Sequence, residues 1–245
     1  MSDIQQTNQP TRQEGWAKPV DRLSVQALPQ EAINLNVEGR HLTSPLKGFG
    51  QLWQKTYAIS LDGVEVPPTE LIRVWKERFP SFWPEGNRFY GTEKPIDAGD
   101  VAVLNLSGPA HTAISTGIMV IYADDESFSF MTPEGHMFCA MITFSAYEEE
   151  EVTTAQIQAL VRASDPLYET AFRLGFGHKT EDKFWHDTLK NVAAYFGAKG
   201  GTVEQRTTLV DPKVQWSQAK NVWQNAAIRT ALHTPVRWIR GLGGR

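Results

Sequence analysis

Residues able to do chemistry are few in this chain and widely spaced. The histidines are His41, His111, His136, His178, His186 and His233. His178, Asp182 and His186 fall at i, i+4 and i+8, which would align them on one continuous helix. Thr180 reads as the N-cap of that helix, however, so His178 is placed outside it. That leaves Asp182 and His186, a pair too small for zinc, and a surface ion pair is the plainer reading. No metal site is expected. His136 stands beside Gly135 at the start of a strongly apolar run, and His111 lies in the polar turn GPAHTAIST. Either could act as a general base with a carboxylate in hydrogen-bond reach; an exposed turn histidine is the ordinary alternative. Cys139, between Phe138 and Ala140, reads as a small buried hydrophobe, because a nucleophilic thiol needs an accessible, electropositive setting. The glycine clusters GAKGG and GLGG lack the strand–loop–helix context of phosphate-binding loops, and no GxSxG, HExxH or paired-cysteine pattern occurs. No catalytic set and no cofactor follow from these residues.

What must hold any site in place is a chain of 245 residues with 41% hydrophobic content, long enough for one large domain with extensions. A single cysteine excludes an internal disulfide framework and points to a reducing, cytoplasmic setting. No apolar stretch of spanning length and no leader-like segment is found. The net charge of −4 carries no nucleic-acid signature, but it is unevenly spread. From Lys213 to Arg245 there are six basic residues and no acidic one, leaving the rest at −10.

Three regions are expected: a disordered or loosely attached arm over 1–30, an α+β domain over 31–200, and a basic amphipathic extension over 201–245. Trp53, Tyr57, Ile59 and Leu61 alternate with polar residues, so GQLWQKTYAISL reads as a strand with one buried face. TELIRVWKERF has helical spacing and ends at Pro80. VAVLNL, GIMVIYA, SFSFMTP and HMFCAMITFSAYE then read as successive antiparallel strands, the last apolar on both faces, with covering expected on each. Glu148 to Glu151 reads as the acidic first turn of a helix running through VTTAQIQALVRASDPLYETAFRLGF, divided where Asp165-Pro166 makes a cap. A second helix, TEDKFWHDTLKNVAAYFG, follows Gly177. TTLVDPKVQ reads as a short strand, and an amphipathic helix runs from Trp216 to about Leu232.

This order of elements, with DPLYETAFRLGF as part of the closing helix, resembles the START-like (Bet v 1-like, SRPBCC) superfamily over roughly 48–197. The resemblance implies a helix-grip fold: a curved antiparallel sheet wrapped around a long C-terminal helix, here with additional C-terminal helices, and an apolar cavity between sheet and helix. The kinked closing helix, the second helix and the basic tail depart from that pattern.

A two-sided apolar sheet facing an aromatic helix can enclose a ligand cavity or pack solid. Cavity-lining candidates are Trp75, Phe79, Trp83 and Tyr90 from the early helical region, Phe128, Phe130, His136, Phe138, Ile142 and Phe144 from the sheet, and Leu160, Tyr168 and Phe172 from the closing helix. The leading reading is carriage of a hydrophobic small molecule or lipid, without catalysis. The alternatives are a cyclase- or hydrolase-like enzyme using His136 or Tyr90, and an interaction module. In the tail, Trp216, Lys220, Trp223, Arg229, Arg237, Trp238 and Arg240 are candidates for peripheral membrane or partner docking; a helix packing its tryptophans onto the domain is the alternative. Nucleic acid is not expected as a partner.

Overall fold

The computed structural model describes residues 15–26, 28–91, 94–107, 113–198 and 200–233. Alternation of apolar and polar residues sets its frame. In β2 (Leu52–Ser60) Lys55, Tyr57 and Ile59 are buried on one side while Gln54, Thr56 and Ser60 face the other. After α1 (Pro68–Arg78), a 3-10 turn (Phe79–Phe82) and the short β3 (Arg88–Tyr90), five strands form a meander. These are β4 (Val101–Ser107), β5 (Ala113–Ala123), β6 (Ser127–Pro133), β7 (Phe138–Glu149) and β8 (Val152–Ala163). α2 (Pro166–Arg173), α3 (Phe176–Tyr195) and β9 (Glu204–Asp211) follow, while β1 (Leu42–Thr43) pairs with the end of β6. All pairings of named strands are antiparallel, in the order β3-β4-β5-β6-β7-β8-β2-β9. With α3 laid on the concave face, this is an α+β protein of helix-grip arrangement.

The closing helix is not where the sequence reading places it. Val152–Ala163 is β8, paired along its whole length with β7 and for nine residues with β2. Ala155, Ile157, Ala159, Val161 and Ala163 alternate with Gln156, Gln158, Leu160 and Arg162, a period of two that the helix-forming Ala and Gln residues obscure. Glu148 to Glu151 is accordingly the end of β7 and a two-residue hairpin turn, not a helix start: Glu150 and Glu151 sit at φ 50° and 66°, the left-handed conformation such turns require. Asp165 does cap α2, its Oδ1 accepting from the backbone N–H groups of Leu167 and Tyr168 at 2.8 and 3.1 Å. Gly175, at φ 83°, separates α2 from α3. Since α3 begins at Phe176, Thr180 lies inside the helix and His178 in its first turn, contrary to the expected cap.

The concave face is closed by α1, the 3-10 turn after it, α2 and α3, whose Trp75, Phe79, Phe172, Leu189 and Val192 join residues of β2 and β4 to β8 in one core. The convex face is covered differently. Residues 15–26 and 28–40, most of which the sequence reading gave to a loose arm, run along β4 and β5. Trp16 bridges Tyr122, Ala17 N–H donates to Ile121 at 2.9 Å, and Leu23 and Val37 bury themselves against Val103 and Met119. At the other end the chain after β9 crosses the same face. The amphipathic helix expected from Trp216 to Leu232 is instead a 3-10 helix (Trp216–Gln224), a break at Asn225, and a helical stretch over 226–233. It is tied down by polar groups: Asn221 Nδ2 donates to the carbonyls of Lys47 and Ser164, Asn225 Nδ2 to Asp165, and Arg229 Nε to Asn36. The backbone passes so close to Gly135 that a Cβ there would meet the Gln224 carbonyl oxygen at 2.0 Å.

Candidate functional site

The space between sheet and helices is occupied by aromatic rings. Helical spacing in α1 directs Leu71, Val74 and Trp75 inward, and Pro80 and its neighbours turn Phe79 and Phe82 after them. Phe128 and Phe144, directly opposite across β6 and β7, stack at 4.7 Å and 10°. Phe79 meets Phe89, Phe128, Phe130 and Phe144 edge-on at centroid distances of 5.2 to 5.6 Å, and Trp75 closes on Phe128 and Phe144. At the other end of the sheet Phe138 stacks on Phe172 at 4.5 Å.

This core opens into a cleft of about 240 Å³ between the end of α1 and the strands β3 to β5. Phe89, Ile96, Ala102, Ile118 and Val120 line it with apolar surface, and Lys76, Glu77, Lys94 and Asp100 supply its charged groups. Phe89 connects it inward: its ring lies 5.3 Å from that of Trp83, whose buried indole N–H has no hydrogen-bond acceptor among the described residues.

A second concentration of titratable groups lies where β2 meets α3. Lys55, fully buried, donates from Nζ to Glu181 Oε2 and Asp182 Oδ1, both at 2.7 Å, and Tyr57 donates its hydroxyl to Asp182 at 2.6 Å. Burial raises the Glu181 carboxyl above the usual range despite Lys55. Asp182 is also penalised by burial, yet hydrogen bonds from Lys55 and Tyr57 hold its carboxyl below the usual range. Burial pushes the Tyr57 phenol well up. His186 reaches Gln205 of β9 at 3.0 Å. Although His178, Asp182 and His186 do share one helix, no group of three or more His, Cys, Asp or Glu among the described residues could hold a metal ion. The cluster is an electrostatic clasp between closing helix and sheet.

Of the candidate lining residues, Trp75, Phe79, Phe128, Phe130, Phe138, Ile142, Phe144 and Phe172 are brought together on the concave face, with Trp83 and Tyr168 packed against them. Two point the other way. Tyr90 packs in the convex cluster with Leu23 and Val37, because in β3 it is Phe89 that faces inward. Leu160 likewise leaves the core: in a strand, unlike a helix, it stands opposite Ala159 and Val161. His136 is buried in the β6–β7 turn rather than exposed, its Nδ1 accepting from Phe138 N–H at 3.0 Å, and burial lowers it to about 4. Cys139 is buried as expected, its thiol raised to about 11 by burial. In the tail, Trp216 and Trp223 are 74% and 84% exposed, and Lys220 is exposed. Arg229 is engaged with Asn36, while Arg237, Trp238 and Arg240, like His111, lie outside the described residues. Reading Phe89-Tyr90 as a strand would have found Phe89; Lys55 was hidden because a lysine at an inward strand position reads as a break in the alternation.

No family model matches the chain, and no curated protein matches it. Solved structures of similar arrangement do exist. The solution structure of KanY protein has 11% identity and a TM-score of 0.45, over 60% of this chain and 98% of that one. The di-domain aromatase/cyclase StfQ from the steffimycin biosynthetic pathway has 8% identity and a TM-score of 0.46, over 59% of this chain and 50% of that one. The major latex-like protein 151 of Panax ginseng has 10% identity and a TM-score of 0.41, over 60% and 99%. No helix among the described residues is long and apolar enough to cross a membrane.

Proposed function

We propose that the protein binds a small hydrophobic or amphipathic molecule on the concave side of its sheet, through the cleft between α1 and β3 to β5. The observation that carries this is the lining itself: an apolar floor of Phe89, Ile96, Ala102, Ile118 and Val120 beneath Lys76, Lys94 and Asp100. Such a site suits a ligand with an apolar body and a polar end. Beyond Phe89, the Trp83 indole offers a buried donor to a ligand carbonyl. The test is native mass spectrometry of protein purified from its own host, with displacement of anilinonaphthalene sulfonate fluorescence. A co-purifying apolar molecule is expected, together with probe binding weakened about tenfold or more by Ala102→Phe, which fills the cleft. A chain that emerges bare and binds probe equally with and without the substitution would sink the reading.

A second reading concerns the tail. We infer that the face carrying the 3-10 helix meets a membrane surface, because Trp216, Trp223 and neighbouring Leu46 are all more than half exposed and no residue of that helix is buried. An apolar face left outward by a segment whose backbone is fixed at Asn221 and Gln215 serves contact with something else.

A further inference from the structure

Beside the exposed tryptophans, the tail and the start of the domain enclose a cleft of about 630 Å³ on the convex side of the sheet. Two lysines far apart in the chain line it: Lys47, from the 3-10 turn Pro45–Lys47, and Lys220, from the tail. Asn221, the residue after Lys220, donates to the backbone carbonyl of Lys47 at 3.1 Å, so the two lysine-bearing backbones are fixed to each other. Within the 3-10 helix Lys220 and Trp223 are three residues apart, one turn, and both project to solvent from one side. Gln218 and Gln224 add side-chain amides to the lining, and Gly135 closes it on the side of the β6–β7 turn, where the tail backbone packs directly against the glycine. Among the described residues Glu134 is the one acidic group lining this cleft, and its charge is felt by Arg40. On a chain that is −10 outside its tail, a cleft pairing two cations with an indole is a local reversal of sign.

We propose that this cleft holds the phosphate of an anionic lipid headgroup. Lys47 and Lys220 supply the opposing charge, and Trp223, Trp216 and Leu46 sit at headgroup depth around it. The proposal rests on the reading that this face meets a membrane, and adds to it the lipid class and the residues that select it. Indoles prefer the interfacial layer irrespective of headgroup charge, whereas each lysine near an anionic surface strengthens binding about fivefold. The two contributions are therefore separable.

The experiment is vesicle flotation of the full chain, on phosphatidylcholine alone and on an equimolar mixture with phosphatidylglycerol, with wild type, Lys47→Glu/Lys220→Glu and Trp216→Ala/Trp223→Ala. Wild type should float at least tenfold better with the anionic vesicles, an advantage that salt diminishes. The lysine variant should lose that preference, and the tryptophan variant should lose flotation on both vesicles. Equal flotation of wild type on both compositions, or an unchanged preference in the lysine variant, overturns the headgroup site while leaving membrane contact standing. Flotation on neither overturns both. Matching thermal melts of the three proteins separate loss of binding from loss of fold. If sedimentation analysis shows that the tryptophans instead hold a dimer and vesicles do not bind, the face belongs to a second copy of the chain and the proposal fails.

Discussion

The concave face of the sheet is closed by a large aromatic core, and the convex face by a small apolar cluster around Leu23 and Val37 together with backbone and amide hydrogen bonds. On the concave side, rings from α1, the 3-10 turn after it and the strands interlock, so that one residue, Phe79, touches four other phenylalanines. On the convex side the N-terminal segment and the helical tail are held by directed bonds: Asn36 donates to Ser115, Ala226 and Thr230, and Asn225 to Asp165. Burial of rings is strong and tolerant of small shifts, because it scales with area. A strap of hydrogen bonds adds less stability but fixes position, since each buried amide must find its partner.

This comparison can be broken by mutation. Phe79→Ala should give the largest loss, about 4 kcal/mol in urea unfolding, from lost burial and the cavity left behind. A loss below about 1 kcal/mol would mean that the rings are not the main closure. Next comes Lys55→Met, expected to cost about 3 kcal/mol because Glu181 is left buried without its cation, and Glu181→Leu in the same chain should restore much of it. If the double variant is no better than the single, the clasp is not acting as a pair.

His136 sharpens the contrast, because it lies next to Gly135, where the tail crosses. Its folded value of about 4 lies below the ordinary 6.5, so folding favours the neutral ring. The sign follows: its contribution is complete above pH 6.5 and is lost as pH falls from 6.5 through about 4, up to about 3 kcal/mol. His136→Gln should flatten the fall in urea midpoint across that window; an unchanged slope would show that other groups set it. Smallest is Asn36→Ala on the convex side, about 1 to 2 kcal/mol. Should it rival Phe79→Ala, the two faces are closed by equal means and the distinction collapses.

Much of the concave wall was legible because strands and α1 repeat their apolar residues at fixed spacing, and Phe128, Phe130, Phe138 and Phe144 fall on one face by counting alone. The closing helix was misplaced because Ala155, Gln156, Gln158 and Ala159 carry helix propensity into a strand, where pairing on both sides outweighs it. Small alanines on that strand also leave room for α3 to approach. The clasp was legible only in part. Asp182 and His186 were seen on a helix, but Lys55 becomes meaningful only when β2 is brought beneath Glu181. The convex strap left almost no trace, since its holding groups are asparagines and backbone carbonyls, residues that a sequence pattern assigns to loops.

The position of β2 between β8 and β9 also governs how the chain can be made. Tyr57 waits for Ile157 on one side and Gln205 on the other. At ribosomal rates of about 5–20 residues per second, that apolar strand spends several seconds outside the ribosome without either neighbour. The sheet closes late and through distant contacts, which slows folding. Among the named strands β2 waits longest for a partner, so during synthesis its unpaired edges stay open to other nascent chains.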